Sequence, residues 1–202
     1  MFLSIFPPKI VLATHNAGKV AEFQSMFEPY DVKIIGAGDV GVPEPDETED
    51  TFEGNALLKA RHACEITAMP CLADDSGLAV NALNGAPGIY SARYATNDKG
   101  ERDFDFGMQK LWDEIGDNAD KSALFVAVLA LVMPNETEFV ARGEVNGNLC
   151  YPPRGNHGFG YDPIFMPEDE TQTFAELGTE GKAKYSHRRR AFLAMLSHFG
   201  LN

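Results

Sequence analysis

The chain has 202 residues, 44% hydrophobic and 23% charged, which is enough for one substantial core and too few charges for a globally disordered chain. Its 17 basic and 30 acidic residues give a net charge of -13, a balance that repels long polyphosphate backbones and argues against a duplex-binding protein. A small phosphorylated ligand stays open, because a local pocket of backbone N–H groups, a few Lys or Arg and a divalent metal suffices to hold one.

Met1 to Pro8 is apolar but short and lacks a basic flank, so no secretory signal is expected there. Lys9 to Thr14 reads as a buried strand, and His15-Asn16-Ala17-Gly18 as a turn. Val20, Phe23, Met26 and Phe27 then share a helical face. Asp31 to Ile35 reads as a second strand, and Gly36 to Asp50, rich in Gly, Pro and acid, as a loop. Asp50 with Glu53 predicts a capping-box start, followed by a helix with Phe52, Ala56, Ala60 and Cys64 on one face. Cys71 to Ala73 reads as a short strand ending in Asp74-Asp75-Ser76-Gly77, and Leu78 to Leu83 as a further extended stretch.

Ala86-Pro87-Gly88 is a turn signal, and Phe104, Met108, Leu111 and Ile115 repeat at helical spacing. Ser122 to Met133 and Glu138 to Val145 predict two long strands around Pro134-Asn135. The apolar run Ala123 to Met133 is too short to span a bilayer as a helix. Asn156 to Gly160 reads as a loop before a short strand, Tyr161 to Met166, and Ser186 to Phe199 as a final helix. With no internal repeat or linker, the expectation is a single α/β domain over 1–202 with a mixed sheet. Cys64, Cys71 and Cys150 form no CxxC pair and are expected to be reduced thiols in a cytoplasmic protein.

Five segments carry chemistry-bearing residues. Thr14 to Lys19 is a turn feeding a helix start, where N–H groups and the dipole favour an anion and Lys19 adds a charge; the plain alternative is a βα turn with a surface lysine. Asp74-Asp75-Ser76-Gly77 puts two carboxylates beside an apolar strand, which is unfavourable unless they are paired or bind metal. Neighbours in a strand point to opposite faces, so one of the two should serve a given pocket. The acidic loop Glu44 to Asp50 is mostly solvated, but one of its carboxylates could reach a metal held by Asp75. Gly155 to Asp162 could present Phe159 for stacking and Asp162 for hydrogen bonding to a base. Lys182 with Ser186-His187-Arg188 concentrates cations at a helix start, which an anion nearby would offset. No Ser-His-Asp arrangement or zinc spacing is present in the sequence.

Together these stretches resemble the inosine triphosphate pyrophosphatase family. They are Val11 to Lys19 with Glu22, Thr51-Phe52, Asn55-Ala56, Lys59-Ala60, LADDSGLAVNALNGAPGIYSARYA (Leu72 to Ala95), GFGYDPIF (Gly158 to Phe165), Ala175-Glu176-Leu177, Lys182 and Ser186-His187-Arg188. They occur in family order along nearly the whole chain. The resemblance implies an elongated mixed β-sheet with flanking helices forming two lobes around a central cleft, usually in a homodimer. It implies Mg²⁺-dependent hydrolysis of ITP, dITP and XTP to the monophosphate and pyrophosphate.

By the same resemblance Asp75 is the catalytic carboxylate and a metal contact, with Glu47, or Asp46 beside it, as the upstream metal ligand. Thr14, His15, Asn16, Ala17, Gly18 and Lys19 match the triphosphate loop. Ser76, Phe159, Gly160, Tyr161, Asp162, Lys182, His187 and Arg188 match positions that hold the nucleotide. Gly54 stands where the family often has Glu, Glu49 where Gly is common, and His15 where Gly or Ser is frequent. Two rival readings remain: a related pyrophosphatase for modified pyrimidine or methylated nucleotides, and a nucleotide sensor without turnover. Asp75 and the acidic loop argue against the sensor, because binding alone needs no carboxylate beside the phosphates.

Overall fold

Ile10, Val11 and Leu12 form a continuous apolar run, and all three are buried in β1 (Lys9–Leu12). Such a run suits a strand covered on both faces. β1 pairs in parallel with β2 (Lys33–Gly36) and, through Val11 and Leu12, with β3 (Cys71–Val80). α1 (Ala17–Phe27) lies between β1 and β2 in the chain, and α2 (Phe52–Thr67) between β2 and β3. β4 (Ser122–Val132) and β5 (Glu138–Leu149) are joined by a tight turn in which Met133 N donates to Thr137 O at 2.9 Å. β6 (Phe165–Pro167) runs antiparallel to β5, completing a six-stranded mixed sheet of order β2-β1-β3-β4-β5-β6. The remaining helices are α3 (Ser91–Tyr94), α4 (Phe104–Ile115), α5 (Phe174–Tyr185) and α6 (His187–His198). The architecture is the expected mixed α/β sheet with flanking helices.

This computed structural model describes residues 6–201, so positions 1–5 of the apolar N-terminal stretch lie outside the described residues. The chain divides into two compact units: Met1–Asp75 with Val128–Arg142 and Ala191–Asn202, and Ser76–Ala127 with Gly143–Arg190. The first unit is closed by an aromatic cluster in which Phe27 meets Phe6 at 5.4 Å and Phe192 at 4.8 Å, both edge to face. In the same unit Arg61 makes a two-pronged ion pair with Glu138, Nε and Nη2 each 2.6 Å from a carboxylate oxygen. The core of the second unit gathers Leu78 from β3, Met108 and Leu111 from α4, Phe125 from β4 and Phe165 and Phe174. β5 alternates buried and exposed from Ala141 onward, the period of two that a strand with one covered face requires.

The structure corrects four local expectations. β3 is one strand of 10 residues, so Asp74, Asp75, Ser76 and Gly77 lie inside it rather than in a turn. The cap of α2 is Thr51, whose hydroxyl accepts from Gly54 N at 3.0 Å, because a cap must stand one residue before the first helical residue, Phe52. Asp162–Ile164 is a single 3-10 turn led by Pro163, and only Phe165–Pro167 is extended. α5 is absent from the sequence reading, although Thr173 and Glu176 form a complete capping box at its start.

Thr173 is fully buried, and its hydroxyl also donates to Arg154 O at 2.8 Å. Thr173→Ala should therefore lower unfolding stability by about 1–2 kcal/mol, read from the midpoint shift in urea at unchanged slope.

Candidate active site

The site in the first unit begins on the buried face of α2. Asn55 and Lys59, four residues apart, share that face with Phe52, Ala56, Ala60 and Ala63. Polar groups so placed need partners, and both find them in the acidic loop. The Asn55 amide accepts from Glu49 N at 3.1 Å and donates to Glu49 O at 3.3 Å, pinning the loop to the helix. The Lys59 ammonium lies 2.9 Å from Glu47 Oε1, 2.6 Å from Asp75 Oδ1 and 3.3 Å from the Asp74 carbonyl oxygen. Asp46 is exposed, so of the two upstream carboxylates considered it is Glu47 that is brought toward Asp75.

β3 presents its two aspartates to different lysines. Asp75 faces Lys59, while Asp74 Oδ2 pairs with Lys19 Nζ at 2.7 Å. Burial pushes the Asp75 carboxyl up to about 6; the Glu47 and Asp74 charges add to the rise, and Lys59 opposes it. For Lys59, burial works against the charge, but the Asp75 and Glu47 carboxylates outweigh it and hold its pKa above the ordinary lysine value.

At the start of α1 the capacity for anions is partly engaged internally. Asn16 Oδ1 accepts from Gly18 N at 2.9 Å and Lys19 N at 3.2 Å, and Thr14 Oγ1 accepts from Asn16 N at 3.2 Å. Gly18 and Lys19 belong to the first turn of the helix, which begins at Ala17, rather than to the preceding loop. His15 is exposed, with its ring edge close to Gly38.

The two departures at positions 49 and 54 meet in space. A Cβ built on Gly54 would come within 2.7 Å of Glu49 Cβ, closer than two carbons can approach. With Glu49 placed as it is, glycine at 54 avoids that clash, so the two departures are sterically linked.

In the second unit the loop Gly158 to Asp162 folds back on its own carboxylate. Asp162 Oδ2 accepts from Phe159 N at 2.9 Å and pairs with Lys182 Nζ at 2.5 Å. Gly158, at φ +79°, leaves no room for a side chain, since its Cβ would lie 2.1 Å from Asp162 Oδ2. The Phe159 ring carries two cations, Lys182 Nζ at 4.7 Å and Arg188 Cζ at 5.5 Å from its centroid. Arg188 is fully buried, and its Nη2 donates to Ser76 Oγ at 3.1 Å. His187 is buried and stacks on Phe125 with centroids 4.7 Å apart.

Tyr161 is buried against Phe104, and its hydroxyl donates to Ser91 O at 2.9 Å; burial pushes its pKa up. Ser91 Oγ in turn accepts from Leu78 N at 2.8 Å and donates to Gly88 O at 2.6 Å. Gly160 has φ +68°, which places the backbone between Phe159 and Tyr161 in the left-handed region.

The sequence reading assigned no role to Lys59, Asn55 or Ser91. A signal for the first two was available: polar residues at i and i+4 on the apolar stripe of a helix. Ser91 gave none, because two of its partners, the backbone of Leu78 and the Tyr161 hydroxyl, are distant in sequence and the third, Gly88 O, is an ordinary turn carbonyl.

No group of three His, Cys, Asp or Glu poised for a metal occurs among the described residues. The donors that are present nonetheless fit Mg²⁺. Glu47 and Asp75 are hard oxygen ligands, and Asp75 Oδ2 is buried with no hydrogen-bond partner among the described residues. Mg²⁺ needs only one or two carboxylates when waters and phosphates complete its shell.

Residues 10–198 match the model of the Ham1 family. The chain belongs to the Ham1 family. A dITP/XTP pyrophosphatase from Caulobacter vibrioides is 50% identical over 186 residues, covering 91% of this chain and 94% of that protein. One from Gluconobacter oxydans is 47% identical, covering 94% of this chain and 89% of its own. Among solved structures, a HAM1 protein from Coxiella burnetii superposes with a TM-score of 0.84 at 40% identity, covering 95% of this chain and 98% of its own. The Ham1 protein of Staphylococcus aureus gives 0.83 at 39% identity with the same coverage. The resemblance drawn from DDSGL and GFGYDPIF therefore holds over the length of the chain. No helix among the described residues is long and apolar enough to cross a membrane.

The steric pairing at positions 49 and 54 is testable by a double-mutant cycle. Gly54→Glu alone should cost about 1–3 kcal/mol of stability, whereas Gly54→Glu with Glu49→Gly should recover most of it, with the coupling read from denaturant unfolding of all four proteins.

Proposed function

We propose that this protein hydrolyses non-standard purine nucleoside triphosphates, ITP, dITP and XTP, to the nucleoside monophosphate and pyrophosphate, with Mg²⁺ bound at Glu47 and Asp75. The observation that carries the reading is the Asp75 carboxylate. It is buried and proton-accepting near neutral pH, with one oxygen paired to Lys59 and the other left without a partner among the described residues. Simple binding of a triphosphate gains nothing from such a group, because it repels the ligand; hydrolysis needs a base. Support for the substrate class comes from the similar proteins of Caulobacter vibrioides and Gluconobacter oxydans, both dITP/XTP pyrophosphatases.

In this reading the Asp75 carboxylate takes a proton from water as the water oxygen bonds to phosphorus. The bridging P–O bond between the α- and β-phosphates breaks, and pyrophosphate leaves with the electron pair. Lys19 and Lys59 offset phosphate charge, and the start of α1 orients the triphosphate once Asn16 yields its backbone donors. Mg²⁺, when bound, supplies charge neutralisation on the phosphates and makes water more acidic. The base belongs to the second unit's cluster, where Phe159 offers a stacking surface and Lys182 and Arg188 offer donors to a 6-oxo group. A 6-amino group cannot accept a hydrogen bond from such donors, which is the physical ground for disfavouring adenine. The free thiols of Cys64, Cys71 and Cys150 suit a reducing cytoplasm, and the resemblance implies a homodimer.

Product analysis with Mg²⁺ and equal ITP, XTP, GTP, ATP and dUTP tests the reading. Monophosphate plus pyrophosphate from ITP and XTP, with ATP nearly untouched, is the expected result. Release of single phosphate, or equal use of every base, would move the assignment to another phosphohydrolase.

Asp75→Asn should abolish turnover while far-ultraviolet dichroism and cooperative unfolding persist; retained turnover would remove Asp75 as the base. Because the carboxyl must be ionised to accept the proton and its pKa is raised to about 6, activity is present above that value and lost below it. The kcat/KM of the wild type should fall about tenfold per pH unit on the acid side, and its midpoint should lie well above the ordinary aspartate range.

A further inference from the structure

We propose that Lys59 is an internal counter-cation, seated between the carboxylates of Glu47 and Asp75, which must withdraw before a divalent cation binds them. The inference rests on the preceding reading that this carboxylate pair is where a divalent cation goes. It adds that the space between the two carboxylates holds a charge of the chain's own.

The geometry points this way because the ammonium touches both candidate ligands at once, 2.9 Å from Glu47 Oε1 and 2.6 Å from Asp75 Oδ1. Lys59 is only 6% exposed, so solvent screens these contacts weakly. A metal ion sharing the same two carboxylates would sit within a few ångströms of that ammonium, where like charges repel strongly in a buried setting. Asp75 Oδ2 is the oxygen the ammonium leaves without a partner, so it is the point from which exchange can begin.

The lysine stem is long and flexible, and the Asp74 carbonyl already holds both Lys59 Nζ, at 3.3 Å, and Lys19 Nζ, at 3.4 Å. Withdrawal from the carboxylates can thus keep one hydrogen bond, to the Asp74 carbonyl. Lys59 is in this sense a positioning residue for the cation. It keeps the acidic pair compact when no metal is there and sets how tightly a metal can compete.

Calorimetric titration with Mn²⁺, without nucleotide, separates this role from a merely structural one. Lys59→Met should bind Mn²⁺ at least about tenfold more tightly than the wild type, since it removes a like charge from the site. Lys59→Arg, which keeps the charge, should bind it no more tightly than the wild type. Equal or weaker binding by Lys59→Met, or no binding by either protein, overturns the proposal. If Lys59→Met does not fold, acetylation of Lys59 in the wild type, followed by peptide mass, gives the answer. Labelling that rises with Mn²⁺ supports withdrawal, and unchanged labelling overturns it. Neither readout uses turnover. Pyrophosphate release from ITP in excess chelator would instead strike down the metal reading itself, so the two ideas fail separately.

Discussion

The ammonium of Lys59 bonds to Glu47, Asp75 and the Asp74 carbonyl, and the first unit's cluster is arranged around that one charge. A buried and a half-buried carboxylate on separate segments, a strand and a loop, would otherwise drive each other apart or stay protonated. The lysine reaches them because α2 turns it inward on the same face as Ala56, Ala60 and Ala63. The apolar stripe that builds the core thus also delivers the charge. Removing one partner of such a buried pair strands the other, which is far more damaging than replacing the whole set with apolar groups. A protein selected for stability alone would have little reason to keep this arrangement; a protein that must hold a proton-accepting carboxylate near neutral pH has one.

The second unit solves a related problem with different parts. Asp162 engages its carboxylate with Lys182 and with the backbone of its own loop, so it shapes the loop more than it faces outward. Tyr161 anchors the same loop from the other side through Ser91. The Phe159 ring of the same loop is flanked by Lys182 and Arg188. β3 runs through both clusters in the chain: Asp75 is the last residue of the first unit's segment and Ser76 the first of the second's. One strand therefore carries both the carboxylate of the one cluster and the hydroxyl that Arg188 engages in the other.

Much of this could be read from the chain. The apolar runs of β1 and β4 and the helical spacing of α1, α2 and α4 marked the elements, because burial is a local property of composition and period. The order of the motifs marked the family. What escaped reading depended on partners distant in sequence. Cys71 to Val80 looked interrupted because Asp74, Asp75, Ser76 and Gly77 are poor strand formers; Lys19, Lys59 and Arg188, none of them near in sequence, make them tolerable there. Lys59 and Asn55 looked like ordinary polar residues until the acidic loop was seen to lie over them. α5 went unread because Gly178, at φ +68°, breaks its helical repeat, leaving only the capping box as a sign.

The contact between positions 49 and 54 also constrains how such a loop can change over generations. With the Glu49 side chain in place, a Cβ at 54 would collide with it, so the residues at the two positions are sterically coupled. A lineage passing from glycine–glutamate to glutamate–glycine at this pair has one smooth road, through glycine at both. That intermediate has the most pliable backbone in the series, at the very loop that carries Glu47. The two differences from the family pattern meet at one contact, so a change at either position alters the space open to the other.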